Sequence, residues 1–256
     1  MIELTAGDGH TFSAYRADPA ETPRGSVVIL QDALGLNPQI RKMADEFADR
    51  GYVAIAPSLF DGVKPGVSLE PDEAGWSEGV DLVRQVGRDQ ALGAIQTAVD
   101  SVKSTGKVAV VGYGWGGYLA YVAANRVSGL ACAVSYYGNG IVQESGEKRK
   151  IPTLLHFGES DPLIPLEAMS QFRAQRPEVS AFSYPGATHG FDSGAYGSFH
   201  EDAAQKAADR TQFWISQYVI GQSPVTLKNS GAYAQAKVEK KKKKKDSADD
   251  LGPPMD

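Results

Sequence analysis

The chain has 256 residues, 42% of them hydrophobic, a formal net charge of −5 and a single cysteine. That length can bury one substantial core, so one α/β domain followed by a tail is expected. From Gln222 onward eight lysines stand against five acids, which leaves the first 221 residues at −8 and argues against a nucleic-acid-binding role for the folded part. Cys132 has no partner for an internal disulfide, which points to a reducing, cytoplasmic setting. The N-terminus is polar from its third residue and no apolar run approaches membrane-spanning length, so no membrane association is expected.

Ile2 to Ala17 alternates apolar and polar residues around Gly7-Asp8-Gly9, the pattern of a hairpin at a sheet edge. Ser26 to Gln31 carries four consecutive aliphatic residues, as a strand buried on both faces does. Asn37-Pro38 supplies a helix cap and a first-turn proline, and Ile40, Met43, Ala44, Phe47 and Ala48 then share one face until Gly51. Tyr52 to Ala56 is the next buried strand, which completes a βαβ unit and requires a parallel sheet. Ser58 to Gly75 is rich in Gly, Pro and acids and reads as a long loop of the kind that carries substrate contacts. Leu92, Ile95, Val99 and Val102 mark the core face of a helix ending near Gly106. Strands follow at Leu130 to Tyr136, Ile151 to Phe157 and Val179 to Tyr184, with a helix between the last two. Glu201 to Val219 closes the domain as a helix with Ala203, Ala207, Thr211, Trp214 and Tyr218 on one face and Gly221 as its stop. Residues 222–256, with six lysines from Lys240 to Lys245, lack the apolar residues needed to pack and read as a disordered tail. Such a run can make weak polyanion contacts, although a solvated tail or an appended remnant fits it better.

The chemistry is concentrated at Lys107 to Tyr118, KVAVVGYGWGGY: a strand-type run, four glycines within six residues, then a helical pattern. This is the shape of a nucleophile elbow, in which G-x-S-x-G sets a Ser or Cys on a sharp turn above the sheet. Gly112 and Gly116 fill the flanking positions, and Gly114 stands where the nucleophile belongs. Further along, Asp161 follows the strand ending at Phe157, and His189 lies in the loop after Tyr184. That order, elbow then acid then histidine, is the order of an acyl-transfer triad in an α/β-hydrolase. Either residue taken alone reads as a turn cap or an ordinary loop histidine. Gln31-Asp32-Ala33-Leu34-Gly35 follows the first buried strand, so the amides of Ala33 and Trp115 are the candidate oxyanion donors. Asp32 is there either a turn residue or a neighbour of the elbow.

The segments QDALGLNPQIRKMADEFADRGYVAIAPSLF, VVGYGWGGYLAY, LLHFGESDPLIP and YPGATHGF together resemble the dienelactone hydrolase family, in order and over about Gly25 to Val219. The resemblance implies an α/β-hydrolase fold, with a mostly parallel central sheet and helices on both faces. It implies hydrolysis of small lactones or esters by a Cys (sometimes Ser), His and Asp triad, with no cofactor and no metal. Asp161 and His189 match the acid and base, Ala33 and Trp115 match the oxyanion amides, and Asp32 matches a position where the family carries a Glu beside the resting nucleophile. The departures are Gly114 at the nucleophile position and Asp32 in place of the longer Glu. Asp192 follows His-Gly-Phe where an anion-binding Arg is common, and Phe60-Asp61-Gly62 lacks an Arg that holds a substrate carboxylate. An anionic dienelactone is therefore not the expected substrate. Trp76, Trp115 and Phe191 are candidates for an apolar pocket, with core packing as the alternative.

Without a hydroxyl or thiol at residue 114 no acyl-enzyme forms there. Cys132, inside an apolar strand, reads as a small core residue, and Ser135 and Tyr113 lack the elbow position. Three readings follow. The chain is a family hydrolase silenced at Gly114, or a hydrolase that activates water with His189 assisted by Asp32 or Asp161, or a non-catalytic protein that binds a small ester, lactone, acid or partner.

Overall fold

A computed structural model of the chain describes residues 1–144, 146–194 and 197–221, all within the compact unit Met1–Gly221. The expected disorder of residues 222–256, with the lysine run, lies outside the described residues. Eight strands form one sheet: β1 (Ile2–Thr5), β2 (Thr11–Ala17), β3 (Ser26–Leu30), β4 (Val53–Pro57), β5 (Val108–Tyr113), β6 (Leu130–Tyr136), β7 (Thr153–Gly158) and β8 (Ser180–Tyr184). Their order is β1-β2-β4-β3-β5-β6-β7-β8. The edge hairpin β1–β2 and the β2–β4 pair are antiparallel, and every other pairing is parallel.

Alternation along the central strands feeds two cores. Val27, Ile29, Ala109 and Val111 face one side, where α1 (Pro38–Asp49), α4 (Leu166–Gln175) and α5 (Glu201–Ile215) contribute Ile40, Phe47, Phe172 and Ala207. Val28, Leu30, Val108 and Val110 face the other, against Leu82, Ile95 and Val99 of α2 (Glu73–Val102) and Leu119 and Ala123 of α3 (Trp115–Arg126). Apolar residues on both faces are what a sheet sandwiched between helices requires.

The helix signals act as their chemistry dictates. The Asn37 side chain accepts from Ile40 N at 3.0 Å, Pro38 occupies the first turn, and the five expected apolar residues of α1 are its buried set. The closing helix departs from expectation in its last turns. It becomes a π-helix over Ser216–Gly221, and the buried row runs Ala203, Ala207, Thr211, Ile215, Val219. Trp214 and Tyr218 are consequently only partly buried, packed edge to face on each other at 4.8 Å. The expected helix ending near Gly106 begins as early as Glu73, capped by Asp72, which accepts from Gly75 N. It is interrupted at Gly87, whose φ of 68° and ψ of 166° are not helical.

The chain steps from β3 to β4 on one side, and β5 flanks β3 on the other. That reversal opens a crevice at the carboxyl ends of the strands, where ligands bind in open α/β sheets.

Candidate active site

The turn at the end of β5 is built by glycines that tolerate nothing else. A Cβ on Gly112 would run into Gly116 O, and one on Gly116 into Leu30 O and Gln31 O. A Cβ on Gly117 would lie 2.6 Å from Tyr136 O and 2.8 Å from Ser135 Oγ. These contacts bring α3 directly onto the sheet. Gly114 is different. It caps α3 with φ 53° and ψ −117°, donates its N–H to Tyr136 O at 3.1 Å and accepts from Tyr118 N at 3.1 Å. A Cβ there would sit 3.3 Å from Asp32 Cβ and 3.7 Å from His189 Nε2. The backbone is held in the left-handed region that a nucleophile elbow imposes on its Ser or Cys, and the side-chain direction points at the base.

His189 and Asp161 lie on the loops after β8 and β7 and meet there. His189 Nδ1–H donates to Asp161 Oδ2 at 2.8 Å, and Asp161 Oδ1 accepts from Leu163 N at 2.8 Å. The Asp161 side chain has no exposed surface, while His189 keeps about a quarter of its own. This pairing fixes the tautomer that leaves a lone pair on Nε2, the atom facing residue 114. The Tyr137 ring packs on His189 with centroids 4.8 Å apart. Tyr137 has φ 38°, the only positive value at a non-glycine among the described residues, and its O–H donates to Asp192 Oδ1 at 2.6 Å. Burial pushes the Asp192 carboxyl up to about 6, aided by Asp32 and opposed by the Tyr137 hydrogen bond and by His189.

Asp32 is 3% exposed, and its Oδ1 accepts from Leu34 N at 2.8 Å, which folds the loop after β3 under the elbow. Gly79 of α2 lies against Ala33, where a Cβ would collide with Ala33 O. Trp115 opens α3, so its N–H precedes the first helical hydrogen bond. Its ring stacks on the fully buried Phe60 at 5.4 Å with a 12° tilt.

Asp32, Ala33, Gly114, Trp115, Trp76 and His189 all line one cavity of about 530 Å³. Two expectations change. Phe191 is not in its wall: the ring is fully buried beneath the site, 5.7 Å from Tyr137 and 5.2 Å from Tyr184. An apolar residue two positions after His189 turns inward with the loop. No residue of the 58–75 loop lines the cavity either; its wall comes from the helix that follows, through Trp76, Val80, Val83 and Arg84. Those positions recur at i, i+4, i+7 and i+8, a helical stripe that was readable in the sequence. Tyr137 was also missed, because its place in the site depends on a backbone at positive φ and on a bond to Asp192, 55 residues away. Among the possible substitute nucleophiles, burial pushes the Cys132 thiol up to about 12, and Ser135 and Tyr113 are buried away from the cavity.

The model of the dienelactone hydrolase family matches residues 12–219. The chain belongs to that family. The carboxymethylenebutenolidase of Pseudomonas putida is 29% identical over 219 residues, spanning 82% of this chain and 92% of the relative. Carboxymethylenebutenolidase 1 of Cupriavidus pinatubonensis is 28% identical over 220 residues, with 82% and 93% covered. Among solved structures, a dienelactone hydrolase-like promiscuous phosphotriesterase, P91, from metagenomic libraries superposes with a TM-score of 0.65 at 21% identity, covering 85% of this chain and 98% of that one. The Pyrococcus furiosus esterase Pf2001 superposes at 0.61 and 14% identity, covering 85% and 91%. At these identities the structural likeness shows the α/β-hydrolase fold. No helix among the described residues is long and apolar enough to cross a membrane, and none of their acidic, histidine or cysteine side chains form a metal-binding group.

Proposed function

We propose that this chain is an ester or lactone hydrolase of the dienelactone hydrolase family whose acyl-enzyme chemistry is switched off at a single position, in a reducing, cytoplasmic setting. The observation that carries the reading is the geometry at Gly114. The place of the missing side chain lies 3.7 Å from His189 Nε2, itself oriented by Asp161, and beside the amide that opens α3. A thiol or hydroxyl there would give its proton to Nε2 as its sulfur or oxygen attacks the ester carbonyl. The resulting oxyanion would face the amides of Ala33 and Trp115. Collapse of that intermediate expels the alcohol, which takes the proton back from His189, and water repeats the sequence to release the acid. With glycine in place the first bond cannot form. Removing a nucleophile from a triad costs on the order of a million-fold in turnover.

The test is Gly114→Cys and Gly114→Ser assayed beside the unaltered protein on activated phenyl esters and simple lactones. At least one variant should gain about a hundred-fold or more. Both variants remaining as inert as the parent while folded would overturn the reading.

One arrangement supports a second reading. His189 Nε2 still faces the cavity with its partner in place, so it can take a proton from water as the water oxygen attacks a bound ester. Residual hydrolysis by the unaltered protein that disappears in His189→Ala would establish that route. Equal rates in the two proteins would end it.

A further inference from the structure

Charge and shape are divided unevenly around the cavity. Trp76, Val80, Val83, Trp115 and Leu163 give it an apolar and aromatic wall, and the charged group on its floor, beside residue 114, is the carboxylate of Asp32. Asp32 is 3% exposed, so water screens its charge poorly from anything held next to the elbow. The acidic character continues behind the wall. Asp192 lies under Tyr137 and acts electrostatically on both Asp32 and His189. Among the described residues that line the cavity, the guanidinium is that of Arg84, on the α2 stripe. Its side chain is 72% exposed and paired with Asp81 Oδ1 at 2.8 Å, so solvent screens it and a carboxylate of its own helix already engages it.

We propose that this cavity selects uncharged, flat aryl groups and rejects carboxylate-bearing ones, with Asp32 as the residue that sets the discrimination. The proposal rests on the cavity being the ester site described above. A ring held against the apolar wall brings its substituent toward residue 114 and Asp32. An ester or amide carbonyl there meets polar groups without net repulsion. A carboxylate there meets the like charge of Asp32, while the Arg84 guanidinium stands out at the rim.

Benzamide and benzoate test this directly, because they share one shape and differ by one charge at pH 8. In NMR titrations of the unaltered protein, benzamide should shift the Ala33, Trp76 and Trp115 signals with a Kd at least about tenfold below that of benzoate. Asp32→Asn should bring the two ligands to within about threefold of each other. Salt gives a second reading that needs no variant. Going from about 20 to about 500 mM NaCl should tighten benzoate and leave benzamide unchanged, because screening weakens repulsion. If Arg84 instead held the carboxylate, salt would weaken benzoate, and Arg84→Gln would too. Benzoate binding as tightly as benzamide, salt weakening it, or an undiminished preference in Asp32→Asn would each overturn the proposal. So would shifts confined to residues outside the cavity. These are binding measurements, so activity gained in Gly114→Cys would still support the hydrolase reading if charge selection failed. An inert Gly114→Cys would leave a measured tenfold preference standing.

Discussion

The carboxyl end of the sheet has two layers, and they treat a side chain in opposite ways. In the lower layer Gly112, Gly116 and Gly117 lie where any Cβ meets a backbone oxygen of the facing element. His156 of β7, in register with Tyr136, is fully buried, hydrogen-bonded to Tyr184 Oη at 2.8 Å and Thr211 Oγ1 at 3.0 Å, and pushed down to about 3 by burial. In the upper layer Gly114 has room for a Cβ against two side chains, and His189 is partly exposed and aimed at it. The lower layer holds α3 against the sheet, and the upper layer holds acid, base and cavity around a position with no side chain. Four glycines that look equivalent in the sequence therefore have two causes. Three are required by close packing and one is not.

The largest effect that sharpens this contrast is catalytic. The hydrolysis gained in Gly114→Cys, about a hundred-fold or more, should fall back by a similar factor when His189→Ala is added, as measured by kcat/KM on a phenyl ester. A gain that survives His189→Ala would mean the upper layer is not an assembled triad. Next is packing. Gly116→Ala should cost about 3 kcal/mol or more in urea unfolding, whereas Gly114→Cys should cost only about 1–3 kcal/mol for its left-handed backbone. Equal losses would erase the distinction between the layers.

The two buried ionisable groups give smaller, pH-dependent effects. His156 has a folded-state value near 3 against 6.5 for the free side chain, so between those limits the unfolded chain binds the extra proton. Stability should therefore be greatest above pH 6.5 and fall as the pH drops through that window, by on the order of 1 kcal/mol per pH unit from this residue. Urea midpoints of His156→Gln should slope less between pH 6.5 and 4.5 than those of the parent. Asp192 has the opposite sign. Its folded-state value of about 6 exceeds 3.8, so its contribution is fully present below pH 3.8 and lost as the pH rises through 6. Asp192→Asn keeps an acceptor for the Tyr137 O–H, and should stabilise the protein at pH 7.5 by on the order of 1 kcal/mol while changing little at pH 3.5.

Much of this architecture was legible from local chemistry. The aliphatic run at Ser26 to Leu30, the Asn37-Pro38 cap and the Ala203, Ala207, Thr211 row each depend on neighbours within a few residues, and each stands where the sequence put it. The order of elbow, Asp161 and His189 was legible because the fold fixes which loop follows which strand. What escaped depends on distant contacts. Phe191 and Trp76 are both aromatic residues near the site, yet only packing against Tyr137 and Tyr184 decides that Phe191 turns inward. Tyr137 joins the site through its strained backbone and its bond to Asp192, neither of which has a short-range signature. The room at Gly114, against its absence at Gly116, is likewise set by the approach of the Asp32 loop and His189.

The most direct test uses the thiol introduced by Gly114→Cys as its own probe. Cys132 is fully buried and its thiol is pushed up to about 12, so alkylation by iodoacetamide reports on residue 114. If His189 and Asp161 stand ready as described, the thiol will form an ion pair with the imidazolium. Its alkylation will then reach half its maximal rate at a pH at least about one unit lower than when His189→Ala is added, the Asp32 carboxylate acting on the thiol in both proteins. The same midpoint in both proteins would contradict the claim that an acid–base pair is assembled around Gly114.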